Sequence, residues 1–251
     1  PIALPIGAQA SFSGVVDLIS GRVADGKGEP PKEMAADIAS YREKLVEAVA
    51  EQDDALLTKY LDSGSLTEEE IRAGLRKAAI SGAIIPVVVA SGLKEIGAVP
   101  ILEAIKSCLP SPQARGAAPA REIHSEKDIQ LAPDPSGPLA ALAFKTTADP
   151  YVGRLTYLRV FSGILASNST VQNSAKGRTE RVGQLYHVRG KTHEPAPQLA
   201  AGEIGAVAKL AETGTGDTLC GLDRPVALEP IAFPPPIFSL ALQPKTKADL
   251  D

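Results

Sequence analysis

Seven cations, Arg154, Arg159, Lys176, Arg178, Arg181, Arg189 and Lys191, fall within one stretch of the 251-residue chain and have the plainest chemistry in it. Residues 138–209 carry 9 Lys and Arg against 4 Asp and Glu, although the whole chain has a net charge of −4. Guanidinium and ammonium groups at this density bind phosphate oxygens without reading a base sequence. The same side chains also suit a plain solvated surface. Residues 1–110 have the opposite balance, 11 basic against 16 acidic, so the two halves are expected to meet different partners.

Other candidate chemistry is thin. His124, His187 and His193 lack ligand spacing with the cysteines, and no metal site is expected. Ser13 and Ser162 sit in F-S-G sequences and form no G-x-S-x-G nucleophile elbow. Asp53, Asp54, Glu68, Glu69 and Glu70 stand at helix starts, where negative charge complements the helix dipole, and read as caps and not as acid/base catalysts. Cys108 and Cys220 are too few for a disulfide framework or a thiolate site, which fits buried thiols in a reducing cytosol. No GxxxxGK[ST] loop, Mg²⁺-binding aspartate motif or Asn-Lys-x-Asp motif is present. No apolar run approaches the ~20 residues needed to cross a bilayer and no signal-like segment opens the chain, so a cytoplasmic protein with no membrane role is expected.

The elements that position these residues change character along the chain. Residues 2–19 cluster apolar residues around Gly7 and Gly14, and FSGVVDLIS reads as a strand or hairpin before a flexible loop. Ser40 with Glu43 predicts a capped helix over about 40–52 burying Leu45, Val46 and Val49. Residues 53–64 predict a short helix closed by Gly64. Thr67 with Glu70 predicts a third helix burying Ile71, Leu75 and Ala78 and stopping near Gly82. The β-branched run IIPVVV at 84–89 predicts a strand buried on both faces, and residues 99–109 predict the helix after it. Residues 109–122 mix Pro, Gly, Ala and charge and predict an interdomain linker, with a boundary near Pro112. Short β-rich runs then recur between Gly, Asp and Asn, the pattern of a closed barrel. Gly153 and Gly163 predict turns or bulges, and Val152, Leu155, Tyr157, Val160 and Ile164 are the expected interior. PIAFPPPI at 230–237 predicts a second hinge before the strand-like IFSLALQP. The chain begins PIALPIGAQ without Met and ends ADLD, and both ends read as cut from a longer chain.

FKTTADPYVGRLTYLRVFSG at 144–163, with KGRTERVGQL, LAAGEIGAVAKL and TGDTLC, resembles the second domain of translational GTPases, elongation factor G most closely. ALPIGAQASFSGVVDLI resembles the start of the subdomain inserted in that family's GTP-binding domain, and PVVVASGLKEIGAVPILEAIKSCLPSP its final strand, guanine-contacting loop and last helix. The implied fold is an α+β multidomain fragment: inserted subdomain at 1–82, last strand and helix of the GTP-binding domain at 83–111, translation-factor β-barrel at 112–233, and hinge with the first strand of a third domain at 234–251. The resemblance implies a fragment of a ribosome-dependent translational GTPase that promotes translocation. Its barrel would lean on small-subunit ribosomal RNA through the seven cations, and its inserted subdomain would meet the ribosomal stalk protein through Glu43, Glu47 and Glu51. Ser91, Gly92 and Leu93 fall where the family's Ser-Ala-Phe or Ser-Ala-Leu loop meets the guanine carbonyl, with Lys94 following; Gly92 in place of alanine is a departure that loosens the loop. GTP and Mg²⁺ are implied for the parent, with no tight binding by this piece. RGKTHEP at 189–195 is more similar to divergent paralogues, which keeps a ribosome-protection or recycling GTPase open as the parent, as well as a stand-alone binding module; a stand-alone hydrolase is disfavoured because no nucleophile-base pair is present.

Lacking a phosphate loop, purified 1–251 is expected to show no GTP turnover above a buffer blank and no micromolar affinity for GTP. Turnover measured by phosphate release, or binding measured calorimetrically, would contradict this reading.

Overall fold

The computed structural model describes residues 1–24, 28–149, 153–241 and 243–245. They divide into two compact units, Pro1–Ser111 and Pro112–Asp251.

In the first unit, β1 (Ala3–Ile6), β2 (Gly14–Asp17) and β3 (Arg22–Val23) make an antiparallel sheet in that order. Three helices follow: α1 (Ala35–Ala50), α2 (Asp54–Ser63) and α3 (Glu68–Ser81). Leu18 from the hairpin, Val49 from α1 and Ile71 from α3 are fully buried at the centre of their core. The caps are local. Asp53 accepts from the amides of Ala55 and Leu56, and its carboxyl is held below the ordinary aspartate value by Lys77 first and then by those amides. Thr67 and Glu70 form the reciprocal capping box, and Gly64 and Gly82 end α2 and α3 in the left-handed conformation. Within α3, Gly74 admits close packing against α1, since a Cβ there would meet Val49 Cγ1 at 2.5 Å.

Two expectations for this unit need correction. The first helix begins at Ala35 after a 3₁₀ turn at Lys32–Met34, so Ser40 and Glu43 lie inside it. Ala35, Ala36 and Ala39 favour helix strongly enough to extend it upstream of the capping-box pattern. Residues 84–90 form no strand; Ile85 is 82% exposed, and Val87 accepts a single backbone bond, from the Ile2 amide, at 3.0 Å. A buried strand needs a ladder on its edges, and none is supplied by the described residues. Helix α4 (Ala98–Cys108) follows, starting at Gly97.

The second unit opens with a short turn of helix, α5 (Pro112–Arg115). Strands β4 (Ala118–Glu122), β5 (Asp128–Leu131), β6 (Ala140–Asp149), β7 (Gly153–Ser162), β8 (Ile164–Ala166) and β9 (Thr170–Asn173) follow. After them come β10 (Arg178–Arg181), β11 (Leu185–Arg189), β12 (Thr192–Ala196), β13 (Gln198–Ala200), β14 (Ile204–Ala208), β15 (Thr218–Cys220) and β16 (Val226–Leu228). Eight of them form one antiparallel sheet in the order β10-β9-β15-β6-β7-β14-β11-β12. It curls, with the β8–β13 pair, into a barrel-like wall around Leu158, Val160, Leu165, Val171, Leu185 and Leu199. Strands β16-β4-β5 make a separate three-stranded sheet. Residues 118–122, expected within a linker, are therefore a strand, because β16 pairs with β4 from about a hundred residues away.

Side-chain direction within the barrel also departs from expectation. Leu155 and Val160 are buried, but Tyr157 is half-buried, Ile164 is 39% exposed, and Leu158 is fully buried in Tyr157's place. The two-residue period of β7 turns Thr156, Leu158, Val160 and Ser162 inward, and register shifts in its pairing with β6 obscure that phase in the sequence. Val152 lies outside the described residues, as does part of the strand expected at 237–244; residues 230–241 form no regular element, with Ile237 99% exposed. No described helix is long and apolar enough to cross a membrane.

Gly163 turns the chain from β7 into β8 at φ +74°, where a Cβ would lie 2.7 Å from Leu139 Cα. Gly163→Ala is expected to cost about 2–4 kcal/mol, left-handed strain plus overpacking. Gly177, at φ +63° in open space, carries only the backbone term, about 1–2 kcal/mol. Urea unfolding of both alanine variants checks this, and equal losses would contradict it.

Candidate functional site

The seven cations all sit on or beside the barrel sheet, but they are not equivalent. Arg154 donates through Nη2 to the Thr213 carbonyl at 2.6 Å. Lys176 reaches the Glu212 carbonyl and lies 3.4 Å from Asp217 Oδ2; Arg178 pairs with Glu212 at 3.0 Å; Arg189 pairs with Glu194 across the β11–β12 hairpin. Arg181 and Lys191 are exposed, and no carboxylate pairs with either among the described residues. Arg159 is half-buried, with its guanidinium 5.1 Å from the Phe161 ring centroid and a buried Nε that has no hydrogen-bond partner. Three of the seven thus remain uncommitted to other protein groups by hydrogen bond or ion pair among the described residues, and the other four help hold the fold.

Sequence spacing gave no sign of the polar knot that occupies some of them. Glu180, on β10, is buried at 8% exposure and accepts from the Glu212 amide at 2.7 Å and from the Thr213 hydroxyl. Asn173, on β9 and fully buried, donates to Thr213 Oγ1 at 3.3 Å and to Asp217 Oδ2 at 2.9 Å. The Gly214 amide also donates to Asp217, at 2.8 Å. Burial alone would raise the Asp217 carboxyl, but the Gly214 amide, Asn173 and Lys176 together hold it below the ordinary aspartate value. The knot joins the β9–β10 hairpin to the loop before β15, segments some 30–45 residues apart in the chain.

In the first unit the loop at Ser91, Gly92 and Leu93 is a tight turn. The Ser91 amide donates to the Ile96 carbonyl at 2.9 Å, and the Ile96 amide returns a bond to Ser91 at 3.2 Å. The Lys94 amide donates to Ser91 Oγ at 3.3 Å, so Ser91 is largely occupied within its own turn. Leu93 is 97% exposed, and the position of a Cβ on Gly92 is open space. Lys94 Nζ bonds the carbonyls of Ala10 and Phe12 at 2.5 and 3.0 Å, tying the turn to the loop between β1 and β2. An open groove of about 370 Å³ lies beside it, lined by Pro5, Gly7, Phe12, Val89, Ala90 and Ser91.

Glu43 and Glu47 lie exposed along α1 and Glu51 just past its end, and Tyr60 packs near enough that burial first, then Glu47 and Glu43, raises its phenol. The His193 ring lies tilted against Tyr186, with centroids 5.9 Å apart, and 3.9 Å from Asp149. No group of three or more His, Cys, Asp or Glu that could hold a metal occurs among the described residues. Cys108 and Cys220 are free and buried, and burial pushes the Cys220 thiol up.

Residues 138–222 match the family model described as elongation factor G domain 2. The whole chain superposes on a protein of known crystal structure from Thermus thermophilus with a TM-score of 0.74 and 30% sequence identity. That similarity covers 100% of this chain and 36% of the Thermus chain.

Because the folded pKa of Asp217 is depressed, its stabilising contribution is present above the unfolded value, about 3.9, and is lost as pH falls through the lower folded value. Asp217→Asn is expected to lower stability at pH 7 and to flatten its decline as pH falls below about 4. Thermal melts across that range check it; an acid limb as steep as in the parent chain would remove Asp217 from the account.

Proposed function

We propose, from the match of residues 138–222 to the elongation factor G second-domain family, that the chain is a piece of a ribosome-dependent translational GTPase promoting translocation. In this reading the second unit is the docking barrel, and its contact is small-subunit ribosomal RNA. Arg181 and Lys191 are the strongest contact residues, because they are exposed on the barrel without an ionic partner among the described residues. Arg178 and Arg189 contribute less, since a phosphate would have to compete with Glu212 and Glu194 for them. Non-specific phosphate contact is what such a surface can supply, so it would position the protein without reading sequence.

The first unit, in the same reading, is the inserted subdomain with the end of the GTP-binding domain. Ser91, Gly92 and Leu93 form the guanine side of a site whose phosphate-binding parts belong to the rest of the parent, together with GTP and Mg²⁺. The exposed Gly92 and Leu93 backbone suits an approach to a base better than Ser91, whose amide already bonds Ile96. The acidic row Glu43, Glu47 and Glu51 is the face for the stalk protein, and the parent works in the cytoplasm. The family match of the barrel is the observation that carries this reading.

Reversing Arg181 and Lys191 to Glu is expected to weaken co-sedimentation of the 251-residue chain with ribosomes and to lower the slope of log affinity against log salt by about 1.5–2. Unchanged binding across the salt titration would sink the docking assignment.

A further inference from the structure

The second unit contains a cleft that the basic-surface reading does not use. About 240 Å³ in volume, it is lined by Pro112, Arg115, Pro119, Arg159, Phe161 and Gly202 among others. Its lining includes two arginines and no carboxylate. That sets it apart from the Arg178 and Arg189 surroundings, where a glutamate already sits on the guanidinium.

Arg159 is the group in this cleft best placed to hold a ligand. Its guanidinium lies over the Phe161 ring, 5.1 Å from the centroid, a cation–π contact that leaves its N–H groups without a hydrogen-bond partner among the described residues. The Nε is buried and finds no hydrogen-bond partner among the described residues, so no protein acceptor offsets the guanidinium's charge there, and the terminal Nη groups are the ones a ligand in the cleft would meet. An anion with two oxygens in one plane fits such a fork bidentately. Prolines and Phe161 keep the surroundings apolar, which strengthens a charge-assisted bond there relative to one in open water. The wall is held closely: a Cβ on Gly202, at φ +96°, would meet Pro112 Cγ at 2.9 Å.

We propose that this cleft is a phosphate-binding site, in which Arg159 takes two oxygens of a phosphate group and Arg115 at the rim adds a second charge. The phosphate belongs either to an RNA backbone or to a small phosphorylated molecule. The site stands on the cleft's geometry and does not depend on the docking role of Arg181 and Lys191.

The test follows the Arg159 side-chain Nε–Hε resonance in the 251-residue chain by nitrogen-15 NMR. Inorganic phosphate is titrated in one arm and a short single-stranded oligouridylate in the other. Saturable movement of this resonance is expected with phosphate, and Arg159→Lys, which keeps the charge and loses the fork, is expected to weaken phosphate binding about tenfold or more. Movement with oligouridylate at lower phosphate equivalents identifies a polymer backbone as the source. Movement with inorganic phosphate alone identifies a small phosphorylated ligand. A resonance that stays still in both arms overturns the proposal, as does a folded Arg159→Lys chain that binds phosphate as tightly as the parent. Because the readout is local to Arg159, it is unaffected by ribosome binding through Arg181 and Lys191, so either reading can fail without the other.

Discussion

Strand β7 pairs along both edges, with β6 on one side and β14 on the other, and its two-residue alternation decides what the barrel keeps inside. Leu158 and Val160 go to the core, and Arg159 between them is thereby sent to the opposite face. A slip of one residue would bury the guanidinium and expose the leucine, so a cationic outer face and an apolar core rest on the same register. The strand also ends where it must: Gly163 bends it into β8 at a place no side chain fits.

Given that register, the polar knot of Glu180, Asn173, Thr213 and Asp217 closes one side of the sheet. It is a network of buried and half-buried polar groups whose hydrogen bonds largely satisfy one another and so offset the desolvation cost of burying them. Lys176, Arg178 and Arg154 are recruited to its margin, at Glu212, Asp217 and the Thr213 carbonyl. A count of basic residues along the chain therefore overstates the charge offered to a partner. Arg181, Lys191 and Arg159 are the cations of the seven that the barrel leaves available among the described residues, and they differ in setting: two in solvent, one over an aromatic ring beside a cleft.

The first unit shows which signals survive without tertiary context. Its α2 and α3 start and stop where Asp53, Thr67, Gly64 and Gly82 place the caps, because each cap is satisfied by backbone groups within a few residues. The β-branched run at 84–89 carries an equally plain local pattern, yet forms no strand and stays partly exposed. Its pattern states a preference for a sheet, and a sheet is made by neighbours. The same logic runs in reverse at β4, whose Pro119 and charged residues read as linker and which becomes a strand because β16 and β5 flank it.

By itself the sequence determined the α+β class, the helix ends set by Asp53, Thr67, Gly64 and Gly82, the change to a β-rich second half, and the likeness of residues 138–222 to elongation factor G domain 2. Those follow from interactions closed over three or four residues, or from a long run of matched positions. Only the tertiary structure decided the phase of β7, the strand status of 118–122, the membership of the polar knot and the difference between a paired and an unpaired arginine. Each of these depends on contacts between residues well separated in the chain, and no periodicity in the sequence records which distant group will arrive at hydrogen-bonding distance.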